Sequence, residues 1–399
     1  MRTRLRRALT ATAALSLTLM ACTGDDESDT TDASATTGGA ATSSAGTEAT
    51  GSTTEDTAAG DTAAGDTAAG DTASEDTASE DTASEDTADE ATTTAEGAGS
   101  TTPGDTVDVV QGEDLVFHVI THGDDGVFWS VVQTAVEQAG ADLGVDARYF
   151  GSNNDAEAQS QAIEAAIAEG SDGIAISLAD PEGVSAAAAA VVEAGIPLYT
   201  LNSGLNNWEE LGAVTHVGQD EIVAGQGAGE NFNELGVTKI LCARQEQTNI
   251  ALEERCNGLA ETFSGEVVSE FVGLDADPTE QENQIAALLQ ADPDIDAFMG
   301  TGPNLPLRAI AAAETAGREL QIAGFDISPD LITAINDGSV AFTVDQQQFL
   351  QGYLPIVLLY LQATNLNTAG GGLPILTGPG FVDSENVEGV SALVDAGTR

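Results

Sequence analysis

The chain has 399 residues, of which 66 are acidic and 11 basic, for a formal net charge of −55. A charge of that sign excludes a nucleic-acid reader, whose phosphate contacts need Lys and Arg, and makes an anionic membrane surface a poor dock for the protein body. The imbalance is uneven: residues 1–22 hold four Arg and no acid, residues 23–114 hold 24 acids and no base, and residues 115–399 hold 42 acids against seven bases.

The first segment reads as a leader. Arg2, Arg4, Arg6 and Arg7 precede an uncharged stretch from Ala8 to Ala21, too short to span a bilayer comfortably but suited to the apolar core of a signal peptide. It ends in Leu19-Met20-Ala21-Cys22, which resembles the lipobox of bacterial lipoproteins. That resemblance implies acylation of Cys22 as the mature N-terminus, with attachment to the cell membrane through the lipid alone. Residues 23–114 then run through Thr, Ala, Gly, Ser, Asp and Glu, with a five-residue unit beginning Asp-Thr-Ala at Asp56 and recurring through Asp86. A period of five matches neither helix nor strand, and one-sign charge with few apolar groups predicts a disordered, self-repelling acidic tether. Fully extended it would reach about 300 Å, and as a flexible coil nearer 60 Å.

From Leu115 the texture changes to alternating strands and helices. Leu115–Thr121 is a buried-strand run, followed by a helix over Val127–Leu143, a strand over Val145–Phe150 and a helix over Asp155–Glu169. A strand at Gly173–Ser177, a helix at Pro181–Ala194, and strands at Pro197–Leu201 and Val214–Gly218 complete a first half. The pattern restarts with a helix from Asp220, a strand at Lys239–Ala243, a helix at Ile250–Phe263 and a strand at Glu266–Val272. Helices at Pro278–Gln290, Leu305–Ala316, Pro329–Asn336 and Phe349–Leu361 alternate with strands at Asp296–Gly300, Gln321–Phe325 and Val340–Val344. This order predicts an α/β fold of two doubly wound parallel-sheet lobes; a closed eight-fold barrel fits less well, because the spacing breaks at Asn202–Leu211 and residues after Thr364 are irregular. The expected division is 115–218 with 346–376 for the first lobe, and 219–345 with 377–399 for the second.

No catalytic set is legible, and neither a metal nor a cofactor is expected. His118, His122 and His216 lack metal-ligand spacing, and no nucleophile elbow or Walker loop occurs. His118 and His216 read as core or interface residues, while His122, just past the first strand, is a candidate for a cleft. Gly225, Gly227 and Gly229 lie inside a helical stretch and read as packing positions. Outside the cytoplasm, Cys242 on a strand and Cys256 on the next helix suggest a disulfide, two buried thiols being the alternative.

Ligands of open α/β sheets bind beyond the carboxyl ends of the strands. The loops there are His122–Trp129, Asn202–Leu205, Gln245–Asn249, Gly302–Asn304, Asp326 and Asp345–Gln348, rich in Asp, Asn, Gln and aromatic residues. Planar donor–acceptor groups and flat rings suit a polyhydroxylated ligand, although turns and helix caps enrich Asp and Asn at the same places.

The segments "GIPLYTLNSG", "HVGQDEIVAGQGAGE", "ALEERCNGLAETF", "IAGFDISPDLITAINDG" and "VAFTVDQQQFLQGY" resemble the ribose-binding-like periplasmic sugar-binding proteins, the extracytoplasmic solute receptors of ABC importers. The likeness runs from Leu115 to about Asp395. It implies two lobes joined by a three-stranded hinge and closing over one sugar, with Phe128 and Trp129 sandwiching the ring. By the same likeness Asn202, Arg255, Asn304, Asp326 and Gln346 contact the ligand. Asn202 departs from the family's usual Asp, and Gly126 from a polar contact for which Asp124, Asp125 or His122 would substitute. The alternative role for Arg255 is a surface pair with neighbours on its own helix. The implied partners are a small sugar and an ABC permease, for a monomeric receptor. A sensor feeding a chemoreceptor or histidine kinase stays open, as does a non-sugar ligand such as a nucleoside. A related transcription repressor is disfavoured by the leader and by the lack of a helix-turn-helix segment before Leu115.

Overall fold

A computed structural model of the chain describes residues 112–399 except 125, 275 and 276. The leader with Cys22 and the acidic repeat lie outside these residues, as does Asp125.

Five strands and three helices open the fold: β1 (Val116–Thr121), α1 (Gly126–Leu143), β2 (Asp146–Gly151), α2 (Ala156–Glu169), β3 (Gly173–Ser177), α3 (Pro181–Glu193), β4 (Leu198–Leu201) and β5 (His216–Gly218). Asp155 and Asp180 start α2 and α3 by accepting from backbone N–H groups in the first turn, which fixes where the preceding loops end. A second series follows: α4 (Glu221–Leu235), β6 (Lys239–Arg244), α5 (Ile250–Thr262), β7 (Glu266–Phe271), α6 (Pro278–Ala291), β8 (Ala297–Gly300), α7 (Leu305–Ala316), β9 (Gln321–Phe325), α8 (Pro329–Asn336) and β10 (Phe342–Asp345). The chain closes with α9 (Gln348–Asn365), β11 (Ile375–Leu376), β12 (Gly380–Asp383) and α10 (Val387–Asp395). The tail that reads as irregular in sequence therefore carries two short strands and a helix.

These strands form two open six-stranded sheets, ordered β11-β5-β4-β3-β1-β2 and β12-β10-β9-β8-β6-β7, rather than one closed barrel. Every described pairing is parallel except β10 with β12. Each sheet is buried on both faces, so its central strands β3, β4, β8 and β10 have no exposed residue. The chain passes between the sheets three times: from β5 to α4, from β10 to α9, and from β11 to β12.

The glycines of α4 are packing positions. A Cβ at Gly225 would run into the Arg255 carbonyl, one at Gly229 into Thr262, and one at Gly258 into the Ile222 carbonyl, so α4 and α5 meet backbone to backbone. A disulfide joins Cys242 on β6 to Cys256 on α5, with Cα atoms 5.9 Å apart and both residues buried. Together these contacts fix α5 at Arg255, whose carbonyl faces Gly225 and whose next residue, Cys256, carries the disulfide.

Candidate ligand-binding cleft

The carboxyl ends of both sheets face one cavity of about 350 Å³. Seven residues singled out in the sequence line it: Phe128, Trp129 and Asn202 from the first series, Arg255, Asn304 and Asp326 from the second, and Gln346 at a crossing between the sheets. Asp124 does not. It is exposed and outside the cavity lining, while His122 is buried and forms part of the wall. Of the substitutes for Gly126, His122 lines the cavity, Asp124 does not, and Asp125 lies outside the described residues.

The aromatic pair is arranged differently from a sandwich. Phe128 and Trp129 occupy the first turn of α1 with ring centroids 4.9 Å apart and planes at 82°, and Trp129 meets His122 edge-on at 4.8 Å. Rings in that contact leave no slot between them, so the cluster offers one aromatic wall. The His122 Nδ1 lies 2.7 Å from the Ser177 hydroxyl. Burial, helped by Arg255, lowers the imidazole to about 3, so it is neutral and its 3.7 Å approach to Glu246 is not an ion pair.

Arg255 is neither exposed nor paired along its own helix. Its Nε and Nη2 donate to Glu221 at 2.7 and 3.1 Å, its Nη1 donates to the Thr301 carbonyl at 2.6 Å, and its guanidinium stands 4.5 Å from the Phe325 ring centre. Burial opposes its charge, but Glu221 and Asp326 outweigh that and raise its pKa. Three of a guanidinium's five N–H groups are used in these bonds, so the remaining pair can clasp neighbouring hydroxyls. Glu221 is the functional residue that sequence reasoning missed; an acid in a helix's first turn looks like ordinary capping charge, and only the fold reveals that it is buried.

At the crossing the polar side chains form a chain. Asn202 donates to Gln346 at 3.2 Å and to Gln351 at 3.1 Å, and Gln346 donates to Asp326 at 2.5 Å. Asn202 acts here as a donor to two amide oxygens, which a carboxylate at that position would not provide. Asp326 is raised to about 6 by burial, against the opposing influence of Arg255 and the Gln346 bond. Asn304 sits at the start of α7 and lines the cavity. Asn153, Asn154, Asn202 and Asp326 all hold left-handed backbone and all line the cavity, a concentration of strained positions that marks functional sites.

The two halves also touch directly. Ser203 donates to Asn249 at 3.3 Å, Asn206 to Glu254 at 2.8 Å, and the Ile250 amide to the Ala179 carbonyl at 3.1 Å. His118 bonds Ser171 and His216 bonds Thr200, both away from this cleft. Among the described residues there is no cluster able to hold a metal ion, and no helix long and apolar enough to cross a membrane.

A periplasmic binding protein domain model matches residues 116–367. The chain belongs to the periplasmic binding protein family. Within this family it is of the ribose-binding-like, sugar-binding kind with the two-lobed type I fold. The xylose/arabinose-binding protein of Sulfolobus acidocaldarius is 25% identical over 289 residues, which is 67% of this chain and 71% of that one. The ribose import binding protein of Escherichia coli is 25% identical over 239 residues, 59% of this chain and 79% of that one. A carbohydrate transporter from Acidothermus cellulolyticus, solved in complex with myo-inositol, is 36% identical with a TM-score of 0.69, over 72% of this chain and all of that one. These family members are binding proteins of transport systems rather than enzymes, and the family is extracytoplasmic.

Proposed function

We propose that the protein is a lipid-anchored receptor that captures a simple sugar or cyclic polyol between two lobes and delivers it to an ABC import permease. The observation that carries this reading is the convergence of seven side chains, from six separate places in the chain, on one cavity walled by both sheets. Phe128 and Trp129 face the C–H side of the ring, while Asn202, Arg255, Asn304, Asp326 and Gln346 bond its hydroxyls. The lobes are 115–218 with 346–376 and 219–345 with 377–399, a division supported by the three crossings between the sheets. A ligand touching both halves favours their closed arrangement, and the shape of the closed form is what a permease reads. Acylated Cys22 holds the receptor at the membrane and the acidic tether gives it reach. The complex of the 36% identical relative with myo-inositol favours a cyclic polyol as first candidate.

Calorimetry with myo-inositol, ribose, xylose and arabinose tests the reading. At least one should bind, and Asp326→Ala should lower its affinity at least a hundredfold. Undiminished binding by that variant would remove the cavity from the account.

A further inference from the structure

A second cavity of about 240 Å³ adjoins the first, and the two share His122, Asn153, Asn154, Glu246 and Leu274 as lining. Both halves build it: Asp180 comes from the first, Gln247 and Thr248 from the second. It also borders the place where the halves meet, since the Ala179 carbonyl that accepts from Ile250 belongs to a lining residue. Asn153 and Asn154 are held left-handed at φ 51° and 59°, and the Asn154 amide is fixed to the His122 carbonyl at 2.6 Å. Two consecutive residues in that region are strained, and such strain gathers where a binding surface is being shaped.

The lining mixes amide, hydroxyl and carboxylate groups with the apolar Ala156, Ala179 and Leu274, and has no Lys or Arg among its residues. His122 adds no positive charge, being lowered to about 3 by burial and by Arg255. Walls of this kind hydrogen-bond hydroxyl groups and repel anions.

We propose that this second cavity is a further subsite of the cleft, taking an uncharged glycosyl substituent carried by the ring that occupies the first. The proposal rests on the sugar-binding reading and deepens it: the receptor's substrate class becomes neutral glycosides, and the same ring bearing a uronate or phosphate in that place is rejected. The shared walls let one molecule extend from the aromatic face of Phe128 and Trp129 towards Thr248.

Calorimetry on the full chain with two matched pairs decides this: myo-inositol against its galactoside galactinol, and D-xylose against xylobiose. In the pair whose ring binds, the glycoside should bind at least tenfold tighter. Thr248→Trp, at an exposed side chain that lines only the second cavity, should erase that gain and leave the Kd of the bare ring within twofold. A glycoside that binds no tighter than its ring overturns the second subsite alone, as does a gain that survives Thr248→Trp. If none of the four compounds binds, the neutral-glycoside subsite is overturned, and the sugar-binding reading falls with it only if ribose and arabinose fail as well.

Discussion

Glu221 is the residue whose loss should be felt most strongly in the cleft. It lies in the first turn of α4 with its side chain 2% exposed, and it receives two of the donors of Arg255, itself 4% exposed. Gln219 also donates to it at 2.8 Å. In Glu221→Leu the guanidinium would keep the Thr301 carbonyl, the Phe325 ring and the attraction of Asp326, none of which replaces the directly bonded carboxylate. Removing one partner of such a pair costs about 3–5 kcal/mol. At this size that corresponds to a fall in Tm on the order of 10 °C. Glu221→Leu combined with Arg255→Met removes both charges and should recover most of the loss, because apolar groups of similar volume often replace a buried ion pair at little cost. Urea unfolding of the wild type, both single variants and the double variant gives the coupling energy directly. A loss below about 1 kcal/mol for Glu221→Leu, or a double variant no more stable than either single one, would refute the reasoning.

Stability should also depend on pH through two opposed effects. His122 and His216, both lowered to about 3 chiefly by burial, stay neutral in the fold but ionise near 6.5 when unfolded, so the stability they contribute is lost as pH falls from 6.5 towards 3. Asp326, raised to about 6 by burial from 3.8, contributes stability that is present below 3.8 and lost as pH rises through 6. Two histidines outweigh one carboxylate, so the melting temperature should fall on acidification and fall more steeply in Asp326→Asn; identical slopes in thermal melts from pH 4 to 7 would contradict this. Replacing Cys242 and Cys256 by Ala opens a cross-link with a sequence separation of 14 and should cost about 3 kcal/mol in urea unfolding. Gly225→Val places a Cβ against the Arg255 carbonyl and 2.7 Å from the Leu259 nitrogen, backbone atoms that cannot swing aside, and should sharply lower Tm; Gly389→Ala, where a Cβ meets nothing within 4 Å, should not. Equal melting temperatures for those two glycine variants would argue against the close α4–α5 contact.

Much of the architecture was legible in the chain because strand and helix periods depend on nearest neighbours. The alternation from Leu115 onwards, with Asp155, Asp180 and Asp220 at helix starts, leads to the observed elements within a residue or two, except that α9 runs to Asn365 rather than Leu361. The tail after Thr364 was not legible, since β11 and β12 are too short to show a period and become strands only by pairing with β5 and β10. Phe128, Trp129, Asn202, Arg255, Asn304, Asp326 and Gln346 could be named because each occupies a strand end or a recurring motif of the family resemblance. That His122 and not Asp124 lines the cavity was not legible, because side-chain direction in neighbouring loop residues depends on the backbone path.

The −55 charge, the acidic repeat, the parallel α/β order and the edge at which a ligand must sit all follow from composition and local pattern. Tertiary structure alone decided who partners whom. Glu221 and Arg255 are 34 residues apart, Asn202 and Gln346 are 144 apart, and Ser203 and Asn249 are 46 apart. Their hydrogen bonds depend on how two sheets and three crossings bring distant loops together. Burial, which opposes the charge of Arg255, keeps His122 neutral and raises Asp326 to about 6, is a property of that assembly and not of any stretch of chain.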